Sequence, residues 1–159
     1  MSFNRVLFAA IAVASALSPS AAQAQTPPSD RAHHSVFLEV GGPSFLSGNY
    51  EYLPLPTLAL RVGVGAVPIC YIECSPLVIV NASVAAVLFR GDHHLEIGAG
   101  IAIGITSDND VRFLVPQIGY RYEAPEGGLI FRAMFTPMFR MNDLEDAAPF
   151  GGVSLGYGF

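Results

Sequence analysis

The C-terminal residues 152–159 alternate between apolar and small side chains. Val153, Leu155, Tyr157 and Phe159 are apolar, and glycine or serine lies between them. A period of two residues is that of a β-strand, whose successive side chains point to opposite faces. Because a chain end in water is usually polar and frayed, this pattern favours a strand whose oily face lies against lipid in a closed barrel.

The N-terminal residues predict an export signal. Arg5 supplies a positive charge, residues 6–17 form an apolar run, and Ala22-Gln23-Ala24 supplies small residues for a cleavage site. The run is shorter than the ~20 residues that a membrane-spanning helix needs. The predicted division of the chain is a signal peptide at 1–24, a short N-terminal lead at 25–34 and one barrel domain at 35–159.

The composition excludes several classes of protein. The chain is 52% hydrophobic, with a mean hydropathy of +0.45. Its longest uncharged stretch after the signal, residues 75–89, is shorter than the ~18 apolar residues of a spanning helix. The net charge of −5 gives no electrostatic basis for binding nucleic acid. These values leave either a large buried core or lipid-facing strands.

Turn-forming residues divide the domain into eight segments. Clusters of glycine, proline, asparagine and aspartate recur at regular intervals between apolar runs. The predicted strands are 35–41, 45–53, 57–67, 77–89, 93–106, 111–123, 128–139 and 150–159. An even number lets both ends of an up-and-down barrel emerge on one side. We therefore expect an all-β fold, an eight-stranded antiparallel up-and-down transmembrane β-barrel.

Alternation assigns the two faces of each strand. Valine, leucine and isoleucine occupy one face, and glycine and charged residues occupy the other. The charged residues predicted to share the inner face are Glu39, Glu51, Glu96, Arg61, Arg121 and Arg132. Side chains can fill a barrel of eight strands, and buried charges must be paired. We expect an ion-paired plug. A soluble small-ligand-binding barrel, with its polar face in solvent, is the alternative.

Aromatic residues give an independent indication of lipid contact. Six of them fall on the oily face near the ends of the second, sixth and eighth predicted strands. They are Tyr50, Tyr52, Tyr120, Tyr122, Tyr157 and Phe159. Antiparallel pairing brings these strand ends to one side of the barrel, where aromatic residues form the girdle that is typical of a membrane interface.

Cys70 and Cys74 are predicted to form a disulfide in a surface loop. Export to an oxidising compartment favours the bond. Residues four apart in a strand are separated by ~13 Å, beyond the ~7 Å that a disulfide can bridge, so the bond requires a turn. Free thiols or a metal site stay as alternatives, although zinc would need further ligands.

Four parts of the sequence resemble one class of protein. Residues 93–100, 119–122 and 126–137, with the terminal strand, are similar to small outer-membrane β-barrel proteins of Gram-negative bacteria. The resemblance implies location in the cell outer membrane, contact with its lipid and lipopolysaccharide, and recognition of the C-terminal aromatic strand by the barrel-assembly machinery. The resemblance carries no established activity. From the residues we expect a monomer with a structural, envelope-stability or surface-interaction role, and no cofactor.

The histidines are the candidates for chemistry. They form two pairs, His33-His34 and His93-His94. Barrels of this class include lipid-modifying enzymes, which need a histidine beside a serine and a carboxylate near the outer leaflet. The predicted orientation puts all four histidines at the opposite, periplasmic end. Neighbouring histidines also point to opposite faces of a strand. We therefore expect no metal site and no enzyme, with a lipid-modifying enzyme as the alternative.

Overall fold

The computed structural model describes residues 32–70, 74–89, 91–105, 110–125 and 128–159. The predicted signal peptide and most of the lead lie outside the described residues. The described part of the chain contains ten β-strands. They are β1 (His34–Gly41), β2 (Leu46–Leu55), β3 (Leu58–Cys70), β4 (Cys74–Leu88), β5 (His93–Ile105), β6 (Val111–Glu123), β7 (Gly128–Phe135), β8 (Met138–Arg140), β9 (Asp143–Ala148) and β10 (Gly151–Gly158).

These strands close into an eight-stranded antiparallel barrel. Each strand from β1 to β6 pairs with the next one along the chain, β7 pairs with β10, and β10 pairs with β1. The predicted fold class is therefore confirmed. Among the described residues, no helix is long and apolar enough to cross a membrane.

The seventh predicted strand is split in two, and an additional short strand precedes the eighth. Thr136 and Pro137 separate β7 from β8, and β9 precedes β10 as the second arm of a hairpin with β8. Proline has no N–H to donate to a ladder, which accounts for the break. The prediction treated residues 142–149 as a turn, whereas β9 extends the barrel wall there. Elsewhere the predicted boundaries agree within about three residues.

Main-chain hydrogen bonds between His34 and Phe159 mark one end of the barrel, with N–O distances of 3.1 and 2.8 Å. We call this end the terminal rim. The opposite end, which carries the β1–β2 turn and the β8–β9 hairpin, is the far rim. The far-rim turn at Gly41 and Gly42 needs positive φ angles of 86° and 70°, which glycine adopts without strain.

Apolar side chains cover the outer wall. Val36, Leu38 and Val40 of β1 are about half exposed, as are outward-facing valines, leucines and isoleucines around the barrel. Soluble monomers rarely expose contiguous apolar surface of this extent. The barrel thus has the surface that its alternation predicts.

The lumen is filled in layers. Leu53, Ala59, Ala85 and Val87 pack together near the terminal rim. A second apolar cluster lies nearer the far rim and consists of Ile79, Ala102, Val115 and Met138. The charged side chains lie between the two clusters. On β3, for example, Arg61 is the next inward-facing residue after Ala59, one step further from the terminal rim.

Candidate functional site

Glutamates and arginines from five strands meet in the middle of the lumen. Arg61 Nη2 donates to Glu51 Oε2 at 2.5 Å and to Glu96 Oε1 at 2.8 Å. Arg121 Nη1 contacts Glu51 Oε1 at 2.5 Å, and Arg132 donates to both oxygens of Glu96 at 2.7 and 3.1 Å. Each of these two carboxylates therefore bridges arginines on separate strands. We call these five residues the lumen network.

The network is removed from solvent. Glu51, Glu96, Arg121 and Arg132 have no exposed surface, and Arg61 is 5% exposed. Charge-assisted hydrogen bonds are strong in such surroundings, and leaving one buried charge without its partner costs several kcal/mol. The arrangement is chemically suited to holding strands together across the barrel.

Glu39 was predicted as a sixth member, and the structure places it elsewhere. Its Oε2 accepts a hydrogen bond from Ser154 Oγ at 3.2 Å, and it makes no ion pair with an arginine of the described chain. Glu39 lies opposite Ser47 on β2, four residues from Glu51, which corresponds to ~13 Å along a strand. It is inside the barrel and nearer the far rim, where it lines a small cavity together with Arg61 and Arg132.

Glu123 takes part instead. Arg121 Nη2 lies 3.2 Å from Glu123 Oε2, and Arg121 Nε donates to the same oxygen at 3.2 Å. The sequence carried the signal, because Glu123 follows Arg121 by two residues and so shares its face. Its neighbours, Ala-Pro-Glu-Gly-Gly, led to its assignment to a turn.

Phe37 also contacts the lumen network, a role that was not predicted from the sequence. The guanidinium carbons of Arg61 and Arg132 lie 5.2 and 4.9 Å from the centre of its ring. Both distances are within the range of a cation–π contact. Gly156 lies opposite Phe37 on β10, and a side chain at Gly156 would overlap Phe37. The alternation of Val36 and Leu38 outward already placed Phe37 on the charged face.

A small polar cavity adjoins the network on its far-rim side. Its volume is about 30 Å³, and its lining includes Glu39, Asn49, Asn81, Gln117 and Thr136. That volume holds about two water molecules, whereas ligand pockets span roughly 300–1,000 Å³. This cavity therefore lends no support to the small-ligand-binding alternative.

The predicted girdle lies on the outer wall at the terminal rim. Tyr50, Tyr52, Tyr120, Tyr157 and Phe159 are all exposed, and Tyr122 is partly exposed. Histidines join this girdle. His34 Nδ1 lies 2.7 Å from the Tyr50 hydroxyl, and His93 Nδ1 lies 2.5 Å from the Tyr120 hydroxyl.

The other two histidines are bound to the main chain. Nδ1 of His33 donates to the Leu53 carbonyl at 2.9 Å, and Nδ1 of His94 donates to the Phe89 carbonyl at 3.2 Å. His94 points inward and His93 outward, as neighbours in a strand must. Within the described ranges, no group of three or more potential ligands could hold a metal ion.

The side chains of Cys70 and Cys74 lie outside the described part of the structure, so their disulfide stays a prediction. The backbone register pairs Cys70 directly with Cys74 across the β3–β4 hairpin. Directly paired residues of antiparallel strands have Cα atoms about 4.5–5.5 Å apart, which is a separation that disulfides use.

Comparison with known proteins gives a match for the fold. Neither a protein-family model nor a curated protein matches the chain. The crystal structure of the N-terminal β-barrel domain of Pseudomonas aeruginosa OprF aligns with a TM-score of 0.56 and 17% identity, covering 82% of this chain and 98% of that chain. The chain folds as an OprF-like barrel. The fold therefore confirms the expected resemblance to small outer-membrane β-barrels.

Proposed function

We propose that the protein is a monomeric outer-membrane β-barrel with a structural role in the cell envelope and a lumen closed by ion pairs. The observation that carries this proposal is the distribution of side chains. Arg121 and Arg132 are fully buried inside the barrel, whereas Leu38 and Leu155 are about 60% exposed on its outer wall. This distribution is stable in a bilayer, because lipid covers the outer wall and the arginines avoid hydrocarbon.

The lumen supports a closed barrel. The lumen network ties β2, β3, β5, β6 and β7 together across the interior. Apolar clusters lie on both sides of it along the barrel axis. An ion would have to displace these packed side chains and break buried salt bridges, both of which are costly.

A lipid-modifying enzyme remains the alternative to a structural role. Nδ1 of each histidine is bonded to a tyrosine hydroxyl or to a main-chain carbonyl, contacts that orient the rings. A nucleophilic mechanism also needs a histidine nitrogen on the nucleophile, a role that these Nδ1 contacts do not fill. Lipid A isolated from a deletion strain and an overexpressing strain is expected to give the same mass spectrum as wild type, and a new acylation state would favour the enzyme.

Two measurements test the proposal. The folded protein is expected in the outer-membrane fraction, with gel mobility that changes on heating. In planar bilayers, the wild-type barrel is expected to show no steady conductance. Recovery only in the soluble periplasmic fraction would refute the membrane location, and steady ion-selective currents would refute the closed lumen.

A further inference from the structure

The outer wall carries two equivalent aromatic sites. His34 of β1 lies opposite Tyr52 of β2, and His93 of β5 lies opposite Tyr122 of β6. Each histidine also contacts the hydroxyl of a second tyrosine on the same neighbouring strand, Tyr50 for His34 and Tyr120 for His93. Ring centroids lie 5.1 Å apart for His34 and Tyr52 and 5.4 Å apart for His93 and Tyr122.

This equivalence extends through both halves of the barrel. Glu51 pairs with Arg61 across β2–β3, and Arg121 pairs with Arg132 across β6–β7. The next ladders repeat the relation, because Arg61 lies opposite Ser83 and Arg132 lies opposite Ser154. The strands β1–β4 therefore correspond in register to β5, β6, β7 and β10.

One difference distinguishes the two aromatic sites. Two residues before Tyr50, on the same outward face, the chain has Gly48. The equivalent position before Tyr120 is Ile118, which is 46% exposed. A Cβ atom at Gly48 would meet no atom within 4 Å. The wall is therefore open at Gly48 and filled by a side chain at Ile118.

A groove of about 730 Å³ runs over the wall at Gly48. Its sides include Val36 and Leu38 of β1 and Leu155 and Tyr157 of β10. Tyr50, paired with His34, lies at the end nearest the terminal rim. The groove is thus apolar along its length and polar at the end where the girdle begins.

We propose that this groove binds one acyl chain of a phospholipid from the leaflet at the terminal rim. The proposal rests on the proposed membrane location, which surrounds the outer wall with lipid. The groove is open and bordered by Val36, Leu38 and Leu155, which offer an apolar surface along which an acyl chain can lie.

The His34–Tyr50 pair provides a contact for the polar part of that lipid. If the tyrosine hydroxyl donates to Nδ1, the ring proton of a neutral histidine is on Nε2. If Nδ1 donates instead, the Tyr50 hydroxyl keeps its own proton. In either case the pair retains one donor for a phosphate or ester oxygen of the lipid.

Native mass spectrometry provides the test, with palmitoyl-oleoyl phosphatidylethanolamine added to the full-length mature barrel in detergent. Wild type is expected to retain one phospholipid per monomer. Gly48→Ile is expected to reduce the retained fraction about tenfold or more, which corresponds to ~1.4 kcal/mol. Ile118→Gly, the matched control on the opposite wall, is expected to keep the wild-type lipid.

Three outcomes would overturn the proposal. They are no retained phospholipid in the wild type, equal retention in Gly48→Ile, and a wild-type dimer that Gly48→Ile disrupts, which would assign the groove to a second copy. Heat-modifiable mobility is measured on the same samples. If folded wild type is absent from membranes, the proposed location fails. If it is present but retains no lipid, only the groove proposal fails.

Discussion

Arg132→Ala tests whether ion pairing holds the lumen together. The substitution removes both hydrogen bonds to Glu96, at 2.7 and 3.1 Å, and one of the two cation–π contacts of Phe37. Glu96 then remains fully buried with Arg61 at 2.8 Å and Arg121 at 3.7 Å. The remaining arginines compensate the carboxylate only in part.

The structure sets the magnitude of the effect. Removing one partner from a buried pair costs ~3–5 kcal/mol, and deleting a buried side chain also leaves a cavity. We expect Arg132→Ala to lower the free energy of unfolding by ~3–5 kcal/mol. Arg132→Met preserves the volume without the charge, and its cost is expected to stay above ~2 kcal/mol. Ile101→Ala is expected to cost less than either, because Ile101 is 45% exposed and lipid can fill the space.

Urea titration of barrels folded into phospholipid vesicles measures these free energies. The heat-modifiable gel band reports the folded fraction, and tyrosine fluorescence provides a second probe because the chain has no tryptophan. The reasoning is refuted if Ile101→Ala costs more than Arg132→Ala. It is also refuted if Arg132→Met is as stable as wild type, because packing alone would then account for the effect of Arg132→Ala.

Three further predictions concern other parts of the barrel. Deleting Phe159 removes one aromatic ring of the girdle and the main-chain hydrogen bonds to His34. The amount of assembled barrel in outer-membrane fractions should therefore fall sharply, and wild-type amounts of heat-modifiable protein would contradict this. Thiol reagents should label Cys70 and Cys74 on intact cells only after reduction, and rapid labelling without reductant would exclude the disulfide. In urea titrations, Glu39→Gln should cost less than ~1.5 kcal/mol, because Glu39 has no arginine partner in the described chain, and a larger loss would assign it a stronger contact.

The sequence determined the strands and their faces because the period of two is a local property. The predicted bounds of β6, residues 111–123, agree with the structure, and every predicted lumen charge points inward. The break at Pro137 could be suspected from the missing N–H. The continuation of the wall through β9 could not, because it depends on pairing with β8, and the intervening residues resemble a turn.

Partners within the lumen could not be predicted because alternation gives the face of a residue and not its height in the barrel. Glu39 and Glu51 both point inward, but the pairing of Ser47 with Glu39 puts them at different levels. Gly48 was missed for a similar reason. Its importance depends on the comparison with Ile118, and the equivalence of those positions becomes visible only when the registers of both half-barrels are known.

The lumen network also explains how register is specified in a barrel whose outer wall is uniformly apolar. A slip of one residue along a strand reverses both of its faces. If the lumen were filled with leucine and valine, the slipped strand would still present apolar side chains to lipid and would lose little. With the observed residues, a slipped β3 would turn Arg61 toward hydrocarbon, at a cost of ~2–4 kcal/mol near the bilayer midplane. The same slip would leave Glu51 and Glu96 buried without that partner. The buried charges therefore contribute more to selecting the native pairing than their net contribution to stability would indicate.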